Sequence, residues 1–295
     1  METLEALAAR IETTEDIQSI VGTMKSLSAV SIRQYERAVD ALNDYHRTIE
    51  LGLQAVLRGG SGHFDRQRPE KRTGVIVIGS DRGLCGRFNE GITRYLDTSL
   101  REEGRHTQEK SLILAVGTRT AARLEALDLP PDIVFVLPGS VEGLVKTAQA
   151  ILIQIDRWWK DQDVNHVRIF FNRRTPEAHA EPVARTLMPI SPAYLEKLYA
   201  SKWPSRRLPT HTMETERLFS WLVRQHLFIS IYRASAETAA SEHASRLAAM
   251  QAAERNIEEQ LEDLSAEYRK KRQESITTEL MDIVAGFESM RTRHA

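Results

Sequence analysis

Residues 240–285 read ASEHASRLAAMQAAERNIEEQLEDLSAEYRKKRQESITTELMDIVA, and they close a stretch from Thr212 to Ala285 in which 74 residues pass without glycine or proline. The run is rich in Ala, Glu, Gln, Arg and Leu, the side chains that lose least on entering a helix. At 1.5 Å per residue such a helix reaches roughly 110 Å, more than a compact domain can cover. Its apolar positions say how it is covered. Leu247, Met250, Ile257, Leu261, Leu264 and Tyr268 keep the three-four step of a coiled-coil seam; Ile276, Leu280, Ile283 and Phe287 resume it about one position later. That slip is expected of a helix drifting across a partner.

The other end of the chain repeats the pattern. Residues 1–58 hold no proline and only Gly22 and Gly52. A register stepping from Leu4 through Leu7, Ile11 and Val21 to Leu53 and Val56 is apolar except at Thr14, Gln18, Lys25, Ser28 and His46. Four of these five fall between residues 14 and 28, so that stretch is the least committed to a dry seam. Between the two helices the period changes. GVIVIGS (74–80), SLILAVG (111–117), DIVFVL (132–137) and HVRIFF (166–171) are short β-branched or aliphatic runs, with helical patterns over 87–103 and 141–160. Strands alternating with helical crossovers predict a parallel sheet covered by helices. Residues 172–212 carry six prolines and read as irregular chain with a last strand and a short helix. The division expected is an N-terminal helix over 1–58, a Gly- and charge-rich linker over 59–73, an α/β domain over 74–211 and a C-terminal helix over 212–295. The fold class is α/β: long coiled-coil helices at both termini, their apolar faces covered by oligomerising or by insertion into a partner, plus a small Rossmann-like parallel-sheet domain.

Composition removes several functions. Forty basic and 41 acidic residues leave a net charge of -1, which gives nucleic acid no electrostatic foothold. The single cysteine, Cys85, excludes an internal disulfide and any cysteine-built metal cage and points to a reducing compartment. No run approaches the roughly 20 apolar residues of a membrane span, and the acidic first turns do not read as a signal peptide.

The local motif that invites chemistry is Gly79-Ser-Asp-Arg-Gly-Leu-Cys-Gly86, placed where a strand turns into a helix. Doubly wound folds bind phosphates there. Yet Gly86 is followed by Arg87-Phe88 rather than Lys-Ser/Thr, and the glycine spacing misses the dinucleotide fingerprint. A tight turn with Ser80 or Asp81 as a local cap fits better. Cys85 reads as a small buried hydrophobe, no two histidines flank a glutamate at zincin spacing, and Trp158-Trp159 reads as packing. No cofactor, metal or catalytic constellation is expected. Two readings compete with a mechanical role: a Rossmann-like enzyme with helical oligomerisation arms, and a free-standing coiled-coil scaffold.

Three blocks in order decide between them: Ile17-Gln-Ser-Ile20 with Thr23-Met-Lys25; Ser80-Asp-Arg-Gly-Leu-Cys-Gly86 followed by Asn89; and Ala240–Met250 with Arg272–Leu280 and Ile283–Gly286. Together they resemble the gamma subunit of F-type ATP synthases. The resemblance implies a non-catalytic rotor shaft, a long antiparallel coiled coil of the N- and C-terminal helices, inside a ring of alternating alpha and beta subunits. Its foot is held with the epsilon subunit on the membrane c-ring, and the whole lies peripherally on the cytoplasmic face of a bacterial plasma membrane. It implies no cofactor and no nucleic acid. By the same resemblance, Met24 and Lys25 match the approach to a mobile acidic segment of the catalytic subunit. Glu242, Arg246, Arg272, Gln273, Thr277 and Glu279 match positions that contact the ring or brace the shaft helices. There are departures: Ser26–Tyr35 replaces a Lys- and Ala-rich stretch, Gly86-Arg87 replaces the usual Gly-Gly, and residues 199–217 lack a Tyr-x-x-Glu-Pro type segment. They point to a divergent lineage, such as the alternate, sodium-translocating F-type ATPases. The dithiol insert of chloroplast relatives is absent.

Overall fold

The computed structural model describes residues 3–59, 72–104, 111–207 and 209–292, with side chains described as far as residue 285. The expected linker lies, apart from its ends, outside the described residues, and so does the side chain of Phe287. The elements in chain order are α1 (Leu4–Arg58), β1 (Arg72–Ile78), α2 (Phe88–Glu102), β2 (Ser111–Val116), α3 (Thr118–Glu125), β3 (Ile133–Phe135), α4 (Val141–Asp161), β4 (Val164–Arg173), β5 (Glu181–Met188), α5 (Pro192–Ala200) and α6 (Thr215–Thr292). The chain divides into two compact units, Ser28–Arg246 and Met1–Leu27 with Leu247–Ala295.

Within Ser28–Arg246 the sheet has the order β3-β2-β1-β4-β5. The first four strands are parallel, as expected, and the last strand, β5, whose direction the sequence left open, runs antiparallel to β4. Only residues 174–180 join β4 to β5, and a parallel return needs a crossover of a dozen or more residues. The short helix α3 was not expected. Its eight residues, TRTAARLE, bury only Thr120, Ala121 and Leu124, too little apolar sequence to show a period.

The unbroken apolar runs of the central strands follow from burial on both faces. Val75 and Val77 of β1 point into one cluster with Ile92, Leu96 and Leu100 of α2 and Leu124 of α3. Ile76 and Ile78 point into the other, with Leu144, Ile151 and Trp158 of α4 and Tyr35, Ile231 and Tyr232 of the long helices. Each such aliphatic side chain contributes about 1.5–3 kcal/mol on leaving water. The α4 helix begins where Ser140 Oγ accepts from the Gly143 amide at 3.2 Å, and it ends with Trp158 lying flat on Gly74 of β1. A Cβ at Gly74 would come within 2.7 Å of the indole.

In the same unit α1 and α6 are antiparallel. Tyr35 stacks on His243 at 5.8 Å, Asn43 accepts from Arg233, and the Tyr45 hydroxyl donates to Gln225, so partner numbers fall as α1 advances. Ile49, Leu53 and Val56 pack with Leu222 and Ile229. In the other unit Val21 packs with Met250 and Ile257, flanked by Met24, Ala253 and Leu261. All sixteen positions of the α1 register are buried or half-buried, including the five polar ones.

Two expectations follow. Gly74→Ala should cost about 1–3 kcal/mol in urea unfolding, because the added methyl must displace the Trp158 ring. The second concerns the packed imidazoles. Burial holds His226 and His243 at about 4, against an ordinary 6.5. Above 6.5 both the folded and the unfolded chain keep these rings neutral. Between 6.5 and 4 only the unfolded chain takes up the proton, so this stability is progressively lost as pH falls and is gone near 4. Burial raises Glu237 and Glu242, which pull the opposite way. His226→Gln should therefore flatten the acid side of the stability curve relative to the parent, by on the order of 2 kcal/mol across that window; chemical unfolding at a series of pH values measures it.

Candidate functional site

The sheet order has a switch point: β1 connects onward to β2 on one side, while β4 joins on the other. In doubly wound folds the crevice outside the carboxyl ends of such a pair is where ligands bind. Here α6 occupies it. Ser241 Oγ donates to the Asn172 carbonyl near the end of β4 (3.3 Å), and Arg246 Nη2 donates to the Gly83 carbonyl in the loop after β1 (3.3 Å). Asn172 Nδ2 in turn donates to the Phe88 carbonyl at the start of α2. Arg246 also pairs with Glu242 one turn earlier, and both side chains are under 10% exposed, at 6% and 8%. Burial pushes the Glu242 carboxyl upward, while the Arg246 guanidinium pulls it back toward the charged form.

The loop over residues 79–86 is built to receive this helix. Gly79 is required, because a Cβ there would fall 1.8 Å from Thr120 Oγ1. The Ser80 amide donates to both Asn89 Oδ1 and Thr120 Oγ1, and Asn89 Nδ2 donates back to Ser80 Oγ at 2.7 Å. Asp81 was expected to cap the helix that follows it. It instead accepts from the Thr118 amide at the start of α3 and from the Leu137 amide beyond β3, and α2 begins at Arg87 without a side-chain cap. The motif thus ties three strand ends together rather than cradling a phosphate. Leu84 and Gly86 take positive φ to turn the loop. Cys85 is buried, its Sγ lying 3.8 Å from Ser80 Oγ, and burial pushes the thiol pKa up, away from a nucleophilic thiolate. Asn89 stood beside the motif in the sequence. Thr118, Thr120 and Asn172 did not announce themselves, because their roles come from strand ends remote in the chain.

The predicted contact residues fall into separate places. Lys25 Nζ lies 2.6 Å from both carboxylate oxygens of Glu254, which accounts for a charge on the seam, and Met24 is half-buried against the Val21 cluster. Glu242 and Arg246 come together in the crevice. Arg272, Gln273, Thr277 and Glu279 all stand exposed on α6, where Thr277 donates to the Gln273 carbonyl. With Lys25 facing Glu254, the first residue of α1 comes opposite about residue 275. Beyond it Ile276, Leu280, Met281, Ile283 and Val284 are about half exposed or more, up to 66% for Met281. Ile17, Ile20 and Leu27 of α1 are likewise exposed. Among the described residues no group of three metal-ligating side chains occurs, and no helix is long and apolar enough to cross a membrane.

Comparison with known proteins agrees along the whole chain. The sequence model of the ATP synthase family matches residues 3–290. ATP synthase gamma chains from Bdellovibrio bacteriovorus and Granulibacter bethesdensis are 27% and 30% identical, covering 99% and 98% of this chain and 100% of their own length. Among solved structures, the rotor of the Euglena gracilis mitochondrial ATP synthase superposes with a TM-score of 0.64 at 18% identity, covering 92% of this chain and 98% of that one. A second Euglena gracilis structure, of the OSCP/F1/c-ring assembly, gives 0.67 at 19% identity, with 98% of this chain and 94% of that one covered. At such identity these structures speak for the fold. With a match over nearly its full length, the chain belongs to the ATP synthase gamma-chain family.

Proposed function

We propose that this chain is the central rotor shaft of a rotary ATP synthase, with α1 and α6 as the shaft and the sheet domain as its foot. The observation that carries it is the uncovered apolar end of α6. Five large aliphatic side chains from Ile276 to Val284 stand in solvent where α1 no longer runs opposite, and a face of that kind calls for cover by a partner. The ring of alpha and beta subunits supplies the cover. The c-ring and the epsilon subunit hold the foot, and the complex sits on the cytoplasmic face of a bacterial plasma membrane. The chain needs no cofactor and contributes no catalytic residue. ATP is made or hydrolysed on the ring, and the shaft acts through contacts that differ among the sites at each angle, so that each site is biased by its own contact free energy.

Roles divide accordingly. Arg272, Gln273, Thr277 and Glu279, exposed beside the apolar end, make directed hydrogen bonds to the ring that are formed and broken in rotation. Met24 and Lys25 meet the mobile acidic segment of the catalytic subunit, and a partner carboxylate there competes with Glu254 for the Lys25 ammonium. Glu242 and Arg246, buried, brace α6 against the foot. The boundaries proposed for shaft and foot are 1–58, 74–211 and 212–295. Co-expression with alpha and beta subunits tests the assignment: the chain should co-purify with the ring, and recovery of the chain without the ring would overturn the reading.

Two variants sharpen it. Arg272→Ala with Gln273→Ala should assemble, since helix propensity improves slightly and the neighbouring Tyr268 and Ile276 are untouched. ATP turnover should fall severalfold or more, because losing about 1–3 kcal/mol of contact in only some rotary states changes a barrier by about tenfold per 1.4 kcal/mol; steady-state ATPase and ion-driven synthesis are the readouts. Cys85→Ser, in contrast, should leave ATP hydrolysis by the assembled complex within about twofold, at a stability cost of about 1 kcal/mol, because the thiol is buried and protonated.

A further inference from the structure

One cleft of unit Ser28–Arg246 lies between the two long helices and the sheet. It measures about 270 Å³ and is walled by α1, β4, β5, the start of α5, and α6. Its lining holds Arg185, Arg233, His46 and His226, and no aspartate or glutamate. In a chain with one acidic residue for every basic one, two arginines in a lining without a carboxylate are a local excess of positive charge. Neither arginine is fully engaged within the fold. The Arg185 guanidinium lies over the Phe171 ring, 5.0 Å from its centroid, and is in neither an ion pair nor a hydrogen bond among the described residues. Arg233 gives one Nη2 hydrogen bond to Asn43. Ser191, whose hydroxyl makes no cap bond, brings the start of α5 to the same wall.

Two carboxylates lie close to the cleft without forming part of its lining. Glu50 accepts from the Tyr194 hydroxyl at 2.8 Å and faces His46. Glu237 feels Arg185 and Arg233 electrostatically, but it lines a different cleft beside Glu36 and Arg173. Planar guanidinium groups suit oxyanions with two acceptor oxygens. The volume lies just under the roughly 300–1,000 Å³ of pockets for drug-sized ligands, so the guest is small.

We propose that this cleft binds a compact phosphate-type oxyanion, inorganic phosphate or a small phosphate ester, through the guanidinium groups of Arg185 and Arg233. The bound anion links β5, which carries Arg185, to α6, which carries Arg233. Its position at the root of α5 makes it a tie for that short helix.

Isothermal titration of the full chain with inorganic phosphate, with pyrophosphate and with ribose 5-phosphate tests the site, using sodium chloride at matched ionic strength as the blank. Saturable one-to-one binding is expected for at least one of the three, and whichever binds tightest identifies the source of the phosphoryl group. Arg185→Gln, at an exposed side chain whose loss leaves the core intact, should weaken binding at least about tenfold. Arg233→Gln should do the same, and Arg123→Gln on α3 should change nothing. If none of the three ligands binds saturably, or if Arg185→Gln binds as the parent does, the site does not exist. Equal weakening by Arg123→Gln would overturn it too, by reducing the effect to overall charge.

Discussion

The constraint on which the rest of the structure depends is that α6 carries an apolar face along 78 residues and must find a different cover for each part of it. Near its start the cover is Ile49, Leu53 and Val56 of α1. In the middle the small residues Ala234, Ser235, Ala236, Ala239, Ala240 and Ser241 let the helix lie close to the sheet domain, and nearly all of this segment is buried. After Leu247 the cover is the first turns of α1, and past about residue 275 the described residues provide none. A single helix therefore passes from core element to seam to unpartnered surface, and its composition changes to match: large apolar residues from Leu218 to Tyr232 first, then alanines and serines, then leucines among glutamates, then exposed isoleucines.

Placing Glu242 and Arg246 in the crevice of the sheet carries an energetic cost. Taking both charges out of water is unfavourable, and their attraction offsets that only with good geometry and satisfied hydrogen bonds. The Gly83 carbonyl and the paired carboxylate meet part of that demand. What a buried ion pair gives in return is specificity. Only one rotation of α6 about its axis puts both side chains at the switch point, whereas alanines alone would tolerate several. Removing one partner would leave the other charged and buried, a far larger penalty than the pair contributes.

Much of this was legible in the sequence because it depends on periodicity. The α1 register stepping from Leu4 to Val56 was readable down to the positions where it fails, and the structure gives those failures their reasons: Lys25 meets Glu254, Ser28 is small enough to be buried, and His46 packs near His226 at 5.7 Å. The central strands were legible because burial on both faces leaves unbroken apolar runs. What could not be read depends on chain geometry. The direction of β5 follows from a loop too short to cross over. The α3 helix has too few apolar residues to show a period. The partners of Asp81 lie 37 and 56 residues away, so its carboxylate looked like a local cap. The residues expected at the partner surface were found by resemblance, and the geometry sorts them into buried, paired and exposed.

The Lys25–Glu254 pair has a further consequence for how the two helices choose their alignment. An apolar seam with a heptad period packs nearly as well after a slide of one heptad, since one leucine replaces another. A slide of seven residues in either direction would set the Lys25 ammonium against Leu247 or Leu261. The charge would then face a leucine in place of its carboxylate, and Glu254 would lose its cation. The pair acts as a register pin: it contributes little to how strongly α1 and α6 associate, and much to which of the near-equivalent alignments they keep.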